Sequence, residues 1–105
     1  MALETHLKKR IAIVVEAPIL QRVLDALDRL NVSGYTVYPV IAGRGRGGAW
    51  REDGLVGDAG RMVSVVCVVD PANADAVIET VYAVVARQIG IVTVSDVQVI
   101  RRDRF

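Results

Sequence analysis

A single cysteine, Cys67, leaves the chain no partner for an internal disulfide and fits a reducing, cytoplasmic setting. Its place in the valine run Val65-Val66-Cys67-Val68 reads as a small buried hydrophobe. The one histidine, His6, falls in a polar leader from Met1 to Lys9, where solvation is expected. One His and one Cys make no structural zinc site unless several chains contribute. Ser33, Ser64 and Ser95 have no histidine near them in sequence, and no paired-carboxylate motif occurs. With no nucleophile–base pair and no metal spacing, the chain is not expected to be an enzyme. Its apolar runs stop far short of the ~20 residues that cross a bilayer, and the leader lacks the apolar segment of a signal peptide. Neither membrane insertion nor export is therefore expected. Thirteen basic against twelve acidic residues give a net charge of +1, which argues against bulk nucleic-acid binding. Nor do the five aromatic residues form the pairs on central strands that stack RNA bases.

What the chain has instead is aliphatic bulk: 52% of its 105 residues are hydrophobic. A chain of this size forms one domain, 1–105, and buries roughly 60–70% of its unfolded surface. That is more apolar content than a small two-layer monomer hides, so self-association is expected. Arg10 to Glu16 is a short β-branched run and reads as a buried strand. Pro18 opens a helix whose Ile19, Leu20, Val23, Leu24, Leu27 and Leu30 form one face, ending near Asn31. Gly34 to Val40 is a second strand, with Pro39 at an edge or at its end. Arg61 to Val69 is a third. Asp70 or Asn73 caps a second helix with the stripe Val77, Ile78, Val81, Val84 and Val85. Ile91 to Ile100 is the fourth strand, and its apolar alternation changes phase after Val94, which predicts a bulge near Ser95-Asp96.

The order is β-α-β-β-α-β, an α+β, ferredoxin-like arrangement of two helices on one face of an antiparallel four-stranded sheet. In the third strand both alternate sets are apolar: Val63, Val65, Cys67 and Val69 on one side, Val66 and Val68 on the other. A sheet covered on one side only shows a polar outer face, so a second subunit is expected on the open side.

Seven of the nine glycines fall between Gly43 and Gly60, in an 18-residue connection without apolar period. Such a length is uncommon in compact domains and usually functional or disordered. It begins Gly43-Arg44-Gly45-Arg46-Gly47-Gly48. Glycines let backbone N–H groups approach a ligand, and guanidinium forks hold oxyanions bidentately. Arg51 and Arg61 flank the segment, and Arg101, Arg102 and Arg104 follow the fourth strand. The segment is no P-loop, because no Gly-Lys-Ser/Thr ends it and no helix follows. Trp50 reads equally as an interaction anchor or as loop packing.

From about Arg10 to Arg104 the chain resembles the PII signal-transduction superfamily. Gly34-Tyr35-Thr36-Val37 leads through a short strand to Gly43-x-Gly45, as PII proteins run into their mobile T-loop. Residues 41–60 occupy the T-loop position. Asp96-Val97-Gln98 precedes Arg102 and Arg104 at the offsets of two phosphate-binding arginines. The chain departs from nitrogen-regulatory members at Arg87-Gln88-Ile89-Gly90-Ile91, where a Gly-rich B-loop ending in Gly-Lys is expected; Ile91 takes the lysine position. The tyrosine that uridylylation modifies is also missing. The chain is more similar to the PII-like proteins of inorganic-carbon uptake. It is nearer the carboxysome-associated type than the type tied to bicarbonate transporters, whose cysteine-bearing extension is absent.

The resemblance implies a homotrimer with adenine-nucleotide sites between subunits and no obligatory cofactor. ADP or AMP is expected to bind better than ATP, with bicarbonate as a second ligand. Gly34, Tyr35, Thr36, Gly43, Gly45, Arg46, Gly90, Arg102 and Arg104 would line the nucleotide site. Arg44, Arg46, Gly47 and Gly48 would hold the bicarbonate anion. The implied target is a protein, such as a bicarbonate transporter or a carboxysome component. The alternative is a structural or metal-binding trimer similar to the CutA proteins.

Overall fold

The computed structural model describes residues 3–45, 48–51 and 61–100. Strand β1 (His6–Glu16) runs into a 3-10 turn (Ala17–Ile19) with Pro18 at its start, and then into α1 (Leu20–Arg29). β2 (Thr36–Pro39) is followed by two short strands, β3 (Ala42–Gly45) and β4 (Gly48–Arg51). β5 (Met62–Val69), α2 (Pro71–Val85) and β6 (Gly90–Val99) complete the chain. Four strands form one antiparallel sheet in the order β2-β5-β1-β6, while β3 and β4 pair with each other. This is the expected split pattern, with an additional hairpin in the long connection.

Alternation along β1 and β5 sorts the side chains. Ile11, Ile13 and Val15 oppose Cys67, Val65 and Val63, and all six are buried beneath the helices. Val23, Ala26 and Leu27 of α1 and Ala74, Val77, Val81 and Val85 of α2 close that core. Each large aliphatic side chain buried there contributes roughly 1.5–3 kcal/mol. The other face carries Ala12, Val14, Val66 and Val68, only half-buried, with exposed Tyr38 and Ile91. The second apolar set read from the sequence is thus an uncovered sheet face.

α1 stops through a Schellman motif. Asn31, at φ 56°, donates to the Asp28 carbonyl, and Val32 donates to that of Leu27, both at 3.1 Å. Asparagine tolerates this left-handed conformation better than most residues.

Three expectations need correction. His6 is not in a solvated leader; β1 begins there, because Lys8 and Lys9 find carboxylates in Asp70 and Asp96. The bulge near Ser95-Asp96 is absent, and ten consecutive residues of β6 pair with β1 in one register. Val92 and Val94 lie on the helix side of β6 and Val97 and Val99 on the open side, so the change of phase is a change of face. Asp96 takes a helix-side position because Lys9 stands directly across from it. Finally, Asp70 stands at the N-cap position of α2 but makes no side-chain cap bond, its carboxylate going to Lys8.

Cys67 is 2% exposed, and burial pushes its thiol pKa up. A thiol whose folded pKa lies above its unfolded value is protonated in both states at neutral pH. Its contribution to stability is therefore lost only as pH rises past the ordinary cysteine range. In neutral buffer a disulfide reagent is expected to leave Cys67 untouched until denaturant is added, as followed by release of the reagent's chromophore. Labelling of the native protein at the rate of a free thiol would mean that the sheet opens locally.

Candidate functional site

β5 has β1 along its full length on one side but β2 along only part of the other. The β2–β5 ladder runs from Thr36–Val66 to Pro39–Val63, and Val40 N–H adds a bond to the Met62 carbonyl at 3.1 Å. Even-numbered residues of β5 therefore turn their backbone groups toward β2. Odd-numbered ones turn toward β1, as the Arg61 carbonyl does in accepting Ala17 N–H at 2.8 Å. The next even residue after Val66 is Val68, and the ladder has stopped before it. Its N–H and C=O face the β2 side with no strand opposite among the described residues.

A cavity of about 410 Å³ opens at that point, lined by Ser33, Gly34, Tyr35, Thr36, Val66, Cys67 and Val68. Gly34 stands where the ladder would have continued. A Cβ on Gly34 would meet nothing within 4 Å, so the space beside it is open. Tyr35 is 40% exposed at the rim. A strand residue with its donor and acceptor both free makes a two-point reader for a ligand edge with the complementary pair. Leaving both groups dry and unpaired would be costly, so they call for water or a ligand.

Gly34, Tyr35 and Thr36 therefore share one cavity. The sequence reading missed Val66, Cys67 and Val68, whose contribution includes backbone groups that residue types do not report. Gly43, Arg44 and Gly45 lie in β3 and Gly48 in β4, where Gly43 opposes Trp50, Arg44 opposes Ala49 and Gly45 opposes Gly48. The connection read as irregular thus contains an antiparallel ribbon. Its glycines gave no alternating pattern by which to recognise strands. Arg46, Gly47, Arg102 and Arg104 lie outside the described residues.

Gly90 sits at the start of β6, on the opposite edge of the sheet from β2. A Cβ there would lie 2.4 Å from the Val14 carbonyl oxygen and 3.1–3.2 Å from the Val15 and Val85 methyls. Close packing of β6 on β1 and α2 thus demands this glycine irrespective of any ligand. Beside it a smaller cavity of about 260 Å³ is lined by residues that include Tyr82, Gln88 and Ile91. The hairpin root, the start of β6 and the end of α2 all lie at the same end of the sheet. Within one chain, Gly90 and the Gly34–Thr36 cavity stay apart.

Among the described residues no group of three or more His, Cys, Asp or Glu side chains is placed to hold a metal ion. No helix among them is long and apolar enough to cross a membrane.

Residues 8–104 match the family model for nitrogen regulatory protein P-II. Among solved structures, the chain is similar to CPII from Thiomonas intermedia K12 bound to ADP and bicarbonate. Identity there is 27%, coverage is 95% of both chains, and the TM-score is 0.82. The same protein bound to ADP, AMP and bicarbonate, described as a nitrogen regulatory PII-like protein, matches at 24% identity and TM-score 0.85, over 95% of this chain and 94% of that one. Its apo form matches at 22% identity and TM-score 0.74, over 96% and 100%. A search of the curated proteins finds no match. The family match decides between the two trimer families that the sequence left open, in favour of the first. The family match extends over 97 residues and includes both the Gly34-Tyr35-Thr36 cavity and the β3–β4 hairpin: the chain belongs to the P-II family of regulatory proteins.

Proposed function

We propose that this protein is a non-enzymatic sensor that binds an adenine nucleotide between neighbouring copies of itself and signals through segment 41–60. The observation that carries the reading is that the β2–β5 ladder stops before Val68, whose N–H and C=O have no strand opposite them among the described residues at the cavity. Adenine presents an acceptor, N1, beside an exocyclic amino donor, and the two backbone groups complement that edge. Thr36 offers a hydroxyl nearby, and Gly34 leaves room for a ring.

The rest of the nucleotide then needs a second chain. The cavity lies on the β2 edge, while Gly90 and the start of β6 lie on the other. Opposite edges meet only in a head-to-tail contact, and such contacts form rings where the rotation closes. A ring of three turns the uncovered apolar faces toward one another and gives each cleft a β2 edge from one copy and a β6 edge from the next. In that cleft Gly43, Gly45 and Gly90 border the nucleotide, and Arg102 and Arg104 of the adjoining copy hold its phosphates. Ile91 supplies no cation, which favours ADP and AMP over ATP. Arg44, Arg46, Gly47 and Gly48 take bicarbonate. The ADP, AMP and bicarbonate found with CPII support this pair of ligands. The proposed setting is the cytoplasm and inorganic-carbon metabolism, with a transporter or carboxysome component as the target.

Calorimetry with ADP, with and without bicarbonate, tests the reading. ADP is expected to bind, and more tightly with bicarbonate present, because a second ligand that orders the same segment shows positive linkage. No ADP binding under either condition would end the sensor reading. An affinity indifferent to bicarbonate would end only that part.

A further inference from the structure

Among the described residues the one buried charge is Lys8, 8% exposed, on the open face of β1. Its ammonium donates to the carboxylate of Asp70, which remains 41% exposed. The pair lies one position beyond the last β1–β5 ladder pair, Lys9 with Val69. This is also where β5 is least supported. From Cys67 onward β2 has ended, so among the described strands only β1 pairs with β5, and Val68 with its reading groups lies within that one-sided stretch. Immediately after it the chain turns into α2, where Asn73 N–H donates to the Asp70 backbone carbonyl at 2.9 Å. Asp70 is thus where the end of β5, the start of α2 and the clamp from β1 meet. A carboxylate at an N-cap position would ordinarily serve its own helix; this one is given to the neighbouring strand.

We infer that Lys8 and Asp70 are positioning residues for the ligand cavity: their ion pair fixes the end of β5 so that Val68 N–H and C=O keep the alignment that reads the ligand. The inference rests on the nucleotide reading above. Neither side chain lines the cavity. They act through the backbone, and small misplacement of a binding group is enough to lose affinity. Removing one partner of a poorly solvated pair is also far more disruptive than its surface counterpart. The Lys9–Asp96 pair, more exposed and on the other side of β1, is the surface counterpart here.

The test is ADP titration of the full chain carrying Asp70→Asn, with Lys8→Met as a second variant that leaves only the solvated carboxylate behind. Asp96→Asn is the control. Both clamp variants are expected to raise the Kd for ADP about tenfold while remaining folded and assembled, and Asp96→Asn to leave it unchanged. Amide exchange at Val69 is expected to quicken in the clamp variants while that at Val65, flanked by β2, does not. A Kd unchanged in a folded clamp variant would overturn the inference, since a merely structural pair lowers Tm without touching affinity. Equal weakening by Asp96→Asn would overturn it as well. If the unaltered protein bound no ADP, the nucleotide reading would fall by itself, and exchange at Val69 would still report whether the pair clamps β5.

Discussion

Gly90→Ala is expected to destabilise the protein by about 3 kcal/mol, at the upper end for overpacking. The added methyl has nowhere to go. Its nearest neighbour would be a backbone carbonyl oxygen, Val14 O, at 2.4 Å, with the Val15 and Val85 methyls closing the other sides. A side chain can rotate away from such a contact, but Val14 belongs to a central strand paired with Ile91 of β6 on one side and Ser64 of β5 on the other, so its carbonyl cannot move without disturbing those ladders. For a domain of this size the loss corresponds to a fall in Tm of roughly 10–20 °C in a thermal scan. Gly34→Ala is the matched comparison. Its methyl enters open space, so stability should stay within about 0.5 kcal/mol of the parent. A Gly90→Ala protein as stable as the parent would show that the start of β6 is looser than the structure draws it, and would return Gly90 to the ligand site as its sole reason.

Replacing Arg102 and Arg104 together by alanine is expected to weaken ADP binding about 100-fold or more while leaving the oligomer intact. Charge-assisted hydrogen bonds contribute roughly 1.5–3 kcal/mol each, and two guanidinium groups on one phosphate tail account for a loss of that order. The measurements are calorimetry for affinity and light scattering for assembled mass. Intact ADP binding would remove both arginines from the proposed site without affecting the cavity beside Val68. Loss of assembly together with binding would mark them as interface residues.

Much of the fold was legible because each element carries its period in side chains. α1 shows an apolar stripe against Gln21, Arg22, Asp25, Asp28 and Arg29, and the doubly apolar β5 announced a sheet with an uncovered face. Polar strand positions were harder. Lys8 and Lys9 read as leader because their carboxylates, Asp70 and Asp96, stand 62 and 87 residues away along the chain. β3 and β4 were invisible for a different reason: with Gly43, Gly45 and Gly48 among eight residues, alternation has almost nothing to alternate. The site divides in the same way. Gly34-Tyr35-Thr36 entered as site residues through the family resemblance. The groups proposed to read the ligand belong to the Val68 main chain, and a valine's letter says nothing about whether its amide has a neighbour. Gly90 carried the opposite ambiguity, since glycine signals close approach without saying what approaches.

The left-handed turn at Asn31 governs more than the end of a helix. By releasing the chain at a fixed point and heading, it determines how many residues pass before Thr36 can join β5, and so how much of that strand stays unzipped. One residue inserted between Asn31 and Thr36 would lengthen the opening, and one removed would draw the chain toward closing over Val68. Ligand size in this architecture is thus adjustable at a helix terminus, without altering any side chain in the cavity.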